Sequence, residues 1–135
     1  MDIYLSDQKN LDIQDILPLY EANEWSSAQK PELLHKALNH SHSLISAWHG
    51  KRLVGLGNAI SDGYLMVYYP HLLVHPAYHG KGIGGLIVAR MQEIYGSFHM
   101  QMLTADGKAI AFYEKNGFSR AGETAPMWIY EGKDH

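Results

Sequence analysis

The chain contains no cysteine, which excludes a disulfide framework, a thiolate metal site and a cysteine nucleophile. It also lacks an excess of positive charge. Eleven Lys and Arg stand against 14 Asp and Glu, for a net charge of −3, and the basic residues are scattered rather than clustered. That balance argues against a nucleic-acid footprint and suits a cationic small molecule better. No apolar run reaches the ~18 residues of a membrane span, and Met1-Asp2-Ile3-Tyr4 does not read as a signal peptide. A soluble, cytoplasmic protein without a membrane partner is the expectation. Internal repeats, low-complexity tracts and linkers are missing as well, and no Gly-Lys-Ser/Thr occurs to make a phosphate-lysine loop.

What is present fits one domain spanning residues 1–135. At this length, with 46% hydrophobic residues, folding buries roughly two thirds of the unfolded surface. Asp2 to Ser6 reads as a first strand. Leu11, Ile13, Ile16, Leu17 and Tyr20 recur at helical spacing, with Pro18 interrupting, and Pro31 to Leu38 makes a second helix with proline in its first turn. Leu44–Trp48 and Leu53–Ile60 read as strands, and Asp62-Gly63 as a hairpin turn. Tyr64 to Val74 is a long strand in which Pro70 cannot donate to a ladder, predicting an edge, a bulge or a parting of strands. A helix carrying Ile83, Leu86, Ile87, Met91 and Ile94 on one face follows. Then come a strand at Phe98–Thr104, a helix at Lys108–Asn116, and strands at Phe118–Ala121 and Pro126–Tyr130. The fold class is α/β (α+β layered): a mixed, mostly antiparallel sheet of roughly six to seven strands flanked by about four helices.

The stretch from Val74 to Gly85 carries the first chemical signal. Four glycines lie among the six residues Gly80-Lys81-Gly82-Ile83-Gly84-Gly85, between an apolar strand and an amphipathic helix. Glycines permit close approach of backbone to ligand, and a helix start offers unpaired N–H groups to an anion. The reading is a pyrophosphate cradle. Gly80-x-Gly82-x-x-Gly85 also satisfies the dinucleotide fingerprint, with Asp106 an acid about twenty residues on. Against that reading, five residues separate the strand end from the first glycine, and little chain follows for further βαβ units.

The second signal is Ala109-Ile110-Ala111-Phe112-Tyr113-Glu114-Lys115-Asn116-Gly117-Phe118. Together, His79-x-x-Gly82-x-Gly84 and Phe112-Tyr113-x-x-x-Gly117-Phe118 resemble the two motifs of the GNAT superfamily of acetyl-CoA-dependent N-acetyltransferases. The resemblance covers the element order of the whole chain, with its specific motifs between Leu72 and Phe118. Asp62-Gly63, Leu72-Leu73-Val74-His75-Pro76 and Ala105-Asp106-Gly107-Lys108 further resemble a subgroup of small enzymes, some of which acetylate arylalkylamines, polyamines or protein lysines. His79 departs from the usual Arg or Gln, and Asp106 from the Asn of many members.

The resemblance implies acetyl-CoA as co-substrate, its pantetheine paired with Leu72, Leu73 and Val74 and its pyrophosphate on His79, Gly80, Lys81, Gly82, Ile83, Gly84 and Gly85. It implies direct attack by a primary amine, with Tyr113 protonating the departing thiolate. Asp106 would accept from the pantetheine arm or cap the following helix, and a homodimer is compatible with the family. The acceptor is a small-molecule amine or a protein lysine. His71, beside the expected strand gap, is a candidate base because histidine titrates near neutrality.

Glu21, Glu24 and Asp62 are candidates to attract the amine, with Tyr20, Trp25, Tyr64 and Tyr68 as an aromatic wall. His71, His75 and His79 are spaced by four, but Pro76 and the strand-to-loop context deny them a common helical face, and no metal is expected. His40, His42, His99 and His135 are expected at the surface. A non-catalytic acyl-CoA-binding or regulatory module and a dinucleotide-binding protein are the alternatives.

Overall fold

The computed structural model describes residues 1–132; His135 lies outside the described residues. Strand β1 (Ile3–Ser6) leads to helices α1 (Ile13–Ala22) and α2 (Pro31–Asn39), joined through a 3₁₀ turn at Ser26–Gln29. Strands β2 (Ser43–His49), β3 (Arg52–Ser61), β4 (Met66–Tyr68) and β5 (Leu72–Val74) follow. Helix α3 (Ile83–Tyr95), strand β6 (Met100–Met102) and helix α4 (Ala109–Lys115) complete the regular structure.

β1, β2 and β3 form an antiparallel meander. β4 and β5 both pair antiparallel with β3, and β6 runs parallel to β4. Helices cover both faces of the central strands, so β2 and β3 read as near-continuous apolar runs. On one face, Ile16, Leu19 and Tyr20 of α1 and Leu34 and Leu38 of α2 pack on Leu44, Leu53, Leu56 and Leu73. On the other, Ile83, Ile87, Met91 and Tyr95 of α3 pack on Ile45, Ala47 and Val54. A Cβ on Gly57 would stand 2.9 Å from Ile87 Cγ2, and one on Gly55 3.2 Å from Ile83 Cγ2. The two glycines therefore set how closely α3 approaches the sheet.

Several elements differ from expectation. The long strand to Val74 is two strands, broken at Tyr69-Pro70-His71 where the missing proline N–H predicts a disruption. α1 runs helically through Pro18, which sits on its exposed side. Asp12 caps that helix through a 2.9 Å bond from the Gln14 N–H. Leu86 and Ile94 are exposed, because the buried stripe of α3 runs through Ile83, Ile87, Met91 and Tyr95.

Among the described residues Phe118–Ala121 and Pro126–Tyr130 form no ladder, and the sheet has six strands. In the latter segment the rings of Trp128 and Tyr130 stack with centroids 4.6 Å apart. Met127 is 93% and Trp128 74% exposed. The Tyr130 hydroxyl lies 2.9 Å from Ser26 Oγ, and Lys30 pairs with Glu131 at 3.4 Å. Tyr130 and Glu131 thus lie against the connection between α1 and α2. No helix among the described residues is long and apolar enough to cross a membrane.

Candidate active site

The break at Pro70 opens the site. β6 keeps its partner through Met102, whose carbonyl accepts from the Tyr69 N–H at 3.0 Å, and no ladder continues beyond it. β5 continues alone along β3. Asn58 N–H donates to the His71 carbonyl at 3.0 Å, and His75 N–H to the Val54 carbonyl at 2.8 Å. Antiparallel alternation therefore turns the backbone groups of residues 71, 73 and 75 toward β3. Those of Leu72 and Val74 face the other way, along an edge with no neighbouring strand. A cleft lies there, lined among others by Gly57, His71, Leu72, Leu103, Tyr113 and Phe118.

The glycine-rich turn stands at the end of this edge. Gly80 (φ 76°) and Gly82 (φ 81°) are left-handed, a conformation that L side chains adopt only with strain, and α3 begins at Ile83. Nothing lies within 4 Å of where a Cβ would stand on either residue. Their role is therefore the backbone path, which leaves open space before the first amides of a 13-residue helix. A Cβ on Gly84 would meet the Phe112 ring at 3.1 Å, so this glycine brings α4 against the start of α3. The His79 ring donates from Nε2 to the Val74 carbonyl, 2.8 Å away. The residue that breaks the family motif is thereby tied to the open edge of β5. Exposed turn, helix start and unpaired strand edge together suit an extended ligand with a peptide-like arm and a pyrophosphate.

Tyr113 enters the cleft from α4, whose end is fixed by Gly117 (φ 97°) and by the Phe118 N–H, which donates to the Tyr113 carbonyl at 3.0 Å. Its ring meets the Phe118 ring edge-on at 5.6 Å. Burial among apolar neighbours pushes the phenol up to about 12. The hydroxyl makes no hydrogen bond to another described residue.

His71 also lines the cleft, and described residues hold it at three points. Its Nδ1 lies 2.7 Å from the hydroxyl of the buried Tyr20. Trp25 meets its ring edge-on at 5.1 Å. Its backbone N–H donates to Asn58 Oδ1 at 3.0 Å, replacing the ladder bond that the strand break removes. Asn58 Nδ2 in turn donates to Ser41 Oγ at 3.0 Å, which donates to the Ala37 carbonyl. Asn58 and Ser41 are absent from the sequence-derived set. The signal for Asn58 is a lone amide in the middle of the apolar run Leu53–Ile60, where a buried polar group must have partners.

Residues 40–120 match the family model described as "Acetyltransferase (GNAT) domain". The chain belongs to the GNAT family. Over 124 residues it is 28% identical to an uncharacterized N-acetyltransferase, ycf52, of Porphyra purpurea, covering 87% of this chain and 70% of that one. A GNAT-family acetyltransferase of Streptococcus pneumoniae TIGR4 superposes with a TM-score of 0.82 at 28% identity, covering 97% of this chain and 100% of the other. The fold extends to glucosamine-6-phosphate N-acetyltransferase of Arabidopsis thaliana, with a TM-score of 0.75 at 14% identity, covering 98% and 100%.

Within this GNAT domain the remaining candidates do not all converge. Trp25 lies beside His71 and Tyr20, whereas Glu21 and Glu24 are exposed near the end of α1. Asp62 is committed to the hairpin: its Oδ1 accepts from the N–H groups of Tyr64 and Leu65 at 2.8 Å each and of Met66 at 3.3 Å. Those bonds hold its carboxyl below the usual range. Tyr64 is exposed at the same tip, away from the cleft lining. The Tyr68 hydroxyl lies 3.5 Å from Thr104 Oγ1. Asp106 does not cap α4 with its carboxylate; its backbone carbonyl accepts from the Ala109 N–H at 2.8 Å. His40, His42 and His99 are exposed, though His42 Nδ1 reaches the Tyr95 hydroxyl at 2.6 Å. Among the described residues no group of three or more His, Asp or Glu is arranged to hold a metal ion.

Proposed function

We propose that this GNAT protein transfers the acetyl group of acetyl-CoA to a primary amine, a small molecule or a protein lysine, in a ternary complex. The observation carrying the reading is that Tyr113 and Leu72, the latter on the strandless edge of β5, line one cleft, and that β5 leads on to the glycine turn. The pyrophosphate would rest on the N–H groups from Gly80 to Gly85, with Lys81 adding charge from the exposed side. The pantetheine amides would pair with Leu72 and Val74, bringing the thioester between His71 and Tyr113.

The amine nitrogen attacks the thioester carbon, forming the C–N bond while the C–S bond breaks. Holding both reactants in one cleft supplies most of the advantage. Tyr113 gives its phenolic proton to the departing sulfur, and solvent restores it. Its raised pKa suits that role, because the phenol stays protonated throughout the neutral range. The proton lost by the amine leaves through water.

An amine panel read by release of free CoA thiol tests the proposal, alongside thermal stabilisation by acetyl-CoA. Stabilisation together with acceptor-dependent thiol release is expected. Stabilisation without thiol release from any amine or lysine peptide would instead identify a non-catalytic acyl-CoA-binding module. Stabilisation by NAD but not by CoA would overturn the acyl-CoA reading altogether.

A further inference from the structure

Two strips of backbone in this chain have no neighbouring strand. The first is the outer edge of β6, the last strand in the order of the sheet. Met100 N–H donates to the Leu65 carbonyl at 3.2 Å, and the Met102 carbonyl accepts from the Tyr69 N–H at 3.0 Å. Residues 100 and 102 therefore face β4, and alternation turns the backbone groups of residues 99, 101 and 103 outward. No strand among the described residues pairs with them. A bare edge is a template for another strand, and proteins usually blunt one with charge, proline or a bulge. β6 has none of these: Met100-Gln101-Met102-Leu103 is uncharged, and its register with β4 is unbroken.

The second strip is Pro126–Tyr130. Met127 and Trp128 are largely exposed and Ile129 wholly so. None of these three makes a backbone hydrogen bond to another described residue. Trp, Ile and Tyr are strand formers, and proline stands first, where a strand tolerates it. A continuous apolar surface of this kind marks a contact site.

We infer that Pro126–Tyr130 of one copy adds to the outer edge of β6 in a second copy, and reciprocally, so that the protein is a strand-exchanged homodimer. A second copy is the fitting occupant because each chain carries one uncovered strand former and one uncovered edge. Under a twofold axis the same contact is made twice and neither part is left over. Alternation along the added strand sends Met127 and Ile129 to one face and Trp128 to the other. Beside the edge, Leu65, Met66 and Met100 are exposed and give those side chains apolar surface to meet. The tether is long enough. Residues 119–125 are all exposed, with Gly122 left-handed, and seven residues reach roughly 23 Å when extended.

The lack of native cysteine makes the exchange directly readable. One chain carries only Met100→Cys and another only Ile129→Cys, both at exposed positions. Refolded together and treated with a short bis-maleimide, they should give a linked species of twice the mass of one chain. Either chain alone should link far less. Mixed chains that link no more than either alone would overturn the inference. So would a chain carrying both cysteines that links only within itself, because its segment then lies on its own β6.

Light scattering provides the second arm. The unmodified protein should have twice the chain mass at micromolar concentration. Trp128→Asp combined with Ile129→Lys should weaken the dimer by about thirtyfold or more, the usual effect of losing a central anchor. Both positions are exposed within the single chain, so its circular dichroism should not change. A single-chain mass at every concentration, or a dimer that the double variant leaves equally tight, would overturn the inference.

Discussion

The two sides of the cleft are built on different principles. The side proposed to hold acetyl-CoA, here the donor side, is mostly backbone: left-handed glycines, the first turn of α3 and the strandless edge of β5. The side proposed to meet the amine, here the acceptor side, is a cluster of side chains, Tyr20, Trp25 and His71, braced from behind by Asn58 and Ser41. A backbone site tolerates changes of side chain that leave its path intact, and His79 in a position usual for Arg or Gln is such a change. A side-chain site has no comparable slack, because each partner satisfies another. The same GNAT fold can therefore keep one donor site while its acceptor site varies residue by residue.

The largest expected effect tests the point where the two sides meet. Tyr113→Phe should lower kcat by about 10²–10⁴, the usual range for a lost general acid. Acetyl-CoA affinity, measured by calorimetry, should be unchanged. An acid with its pKa pushed up to about 12 is lost only as pH rises through that value. The kcat profile of the unmodified enzyme should accordingly show no phenol-dependent fall up to about pH 11. Undiminished turnover in Tyr113→Phe, with chemistry shown to be rate-limiting, would remove its role.

Gly57→Ala comes next, and separates packing from chemistry. The added Cβ at 2.9 Å from Ile87 Cγ2 pushes α3 off the sheet, and overpacking of this kind costs about 1–3 kcal/mol. Thermal or urea unfolding should show the loss. An unchanged stability would mean that α3 is held less closely than the contact requires.

Gly82→Ala probes the backbone alone, since no atom lies near its absent Cβ. A left-handed alanine costs roughly 1 kcal/mol, which weakens acetyl-CoA binding by about fivefold if the cradle must keep this path. Smallest of all should be His79→Gln, which still offers an N–H to the Val74 carbonyl; a net hydrogen bond of about 1 kcal/mol bounds the change in Kd below about tenfold. A larger loss would give His79 a direct part in holding phosphate and blur the contrast between the two sides.

How far the sequence could be read follows the same division. The glycine turn before α3, the end of α4 at Gly117 and the Asp62-Gly63 turn are local in sequence, and each of these turns lies where its residues predict. Pro70 marks the parting of β4 from β5 because a missing N–H is a local fact. The acceptor side joins positions 20, 25, 41, 58 and 71 from α1, β3 and three separate connections, and no spacing in the chain announces such a contact. Asp62 has the charge to attract an amine, yet three turn amides claim its carboxylate. Met127-Trp128-Ile129-Tyr130 has the composition of a strand, but a ladder also needs a partner, and none pairs with it among the described residues. Pairing is a long-range property that composition alone does not fix.

The edge-on contact of Trp25 with His71 makes the site optically self-reporting. Indole emission responds to the charge of an adjacent imidazole and to the polarity around it, and these rings are 5.1 Å apart. An ammonium ion or amine arriving beside them should alter Trp25 fluorescence whether or not acetyl transfer follows. Trp48 and Trp128 contribute a background that Trp48→Phe and Trp128→Phe remove. Acceptors can then be ranked by titration in the cuvette, without a labelled donor and before any turnover is detected.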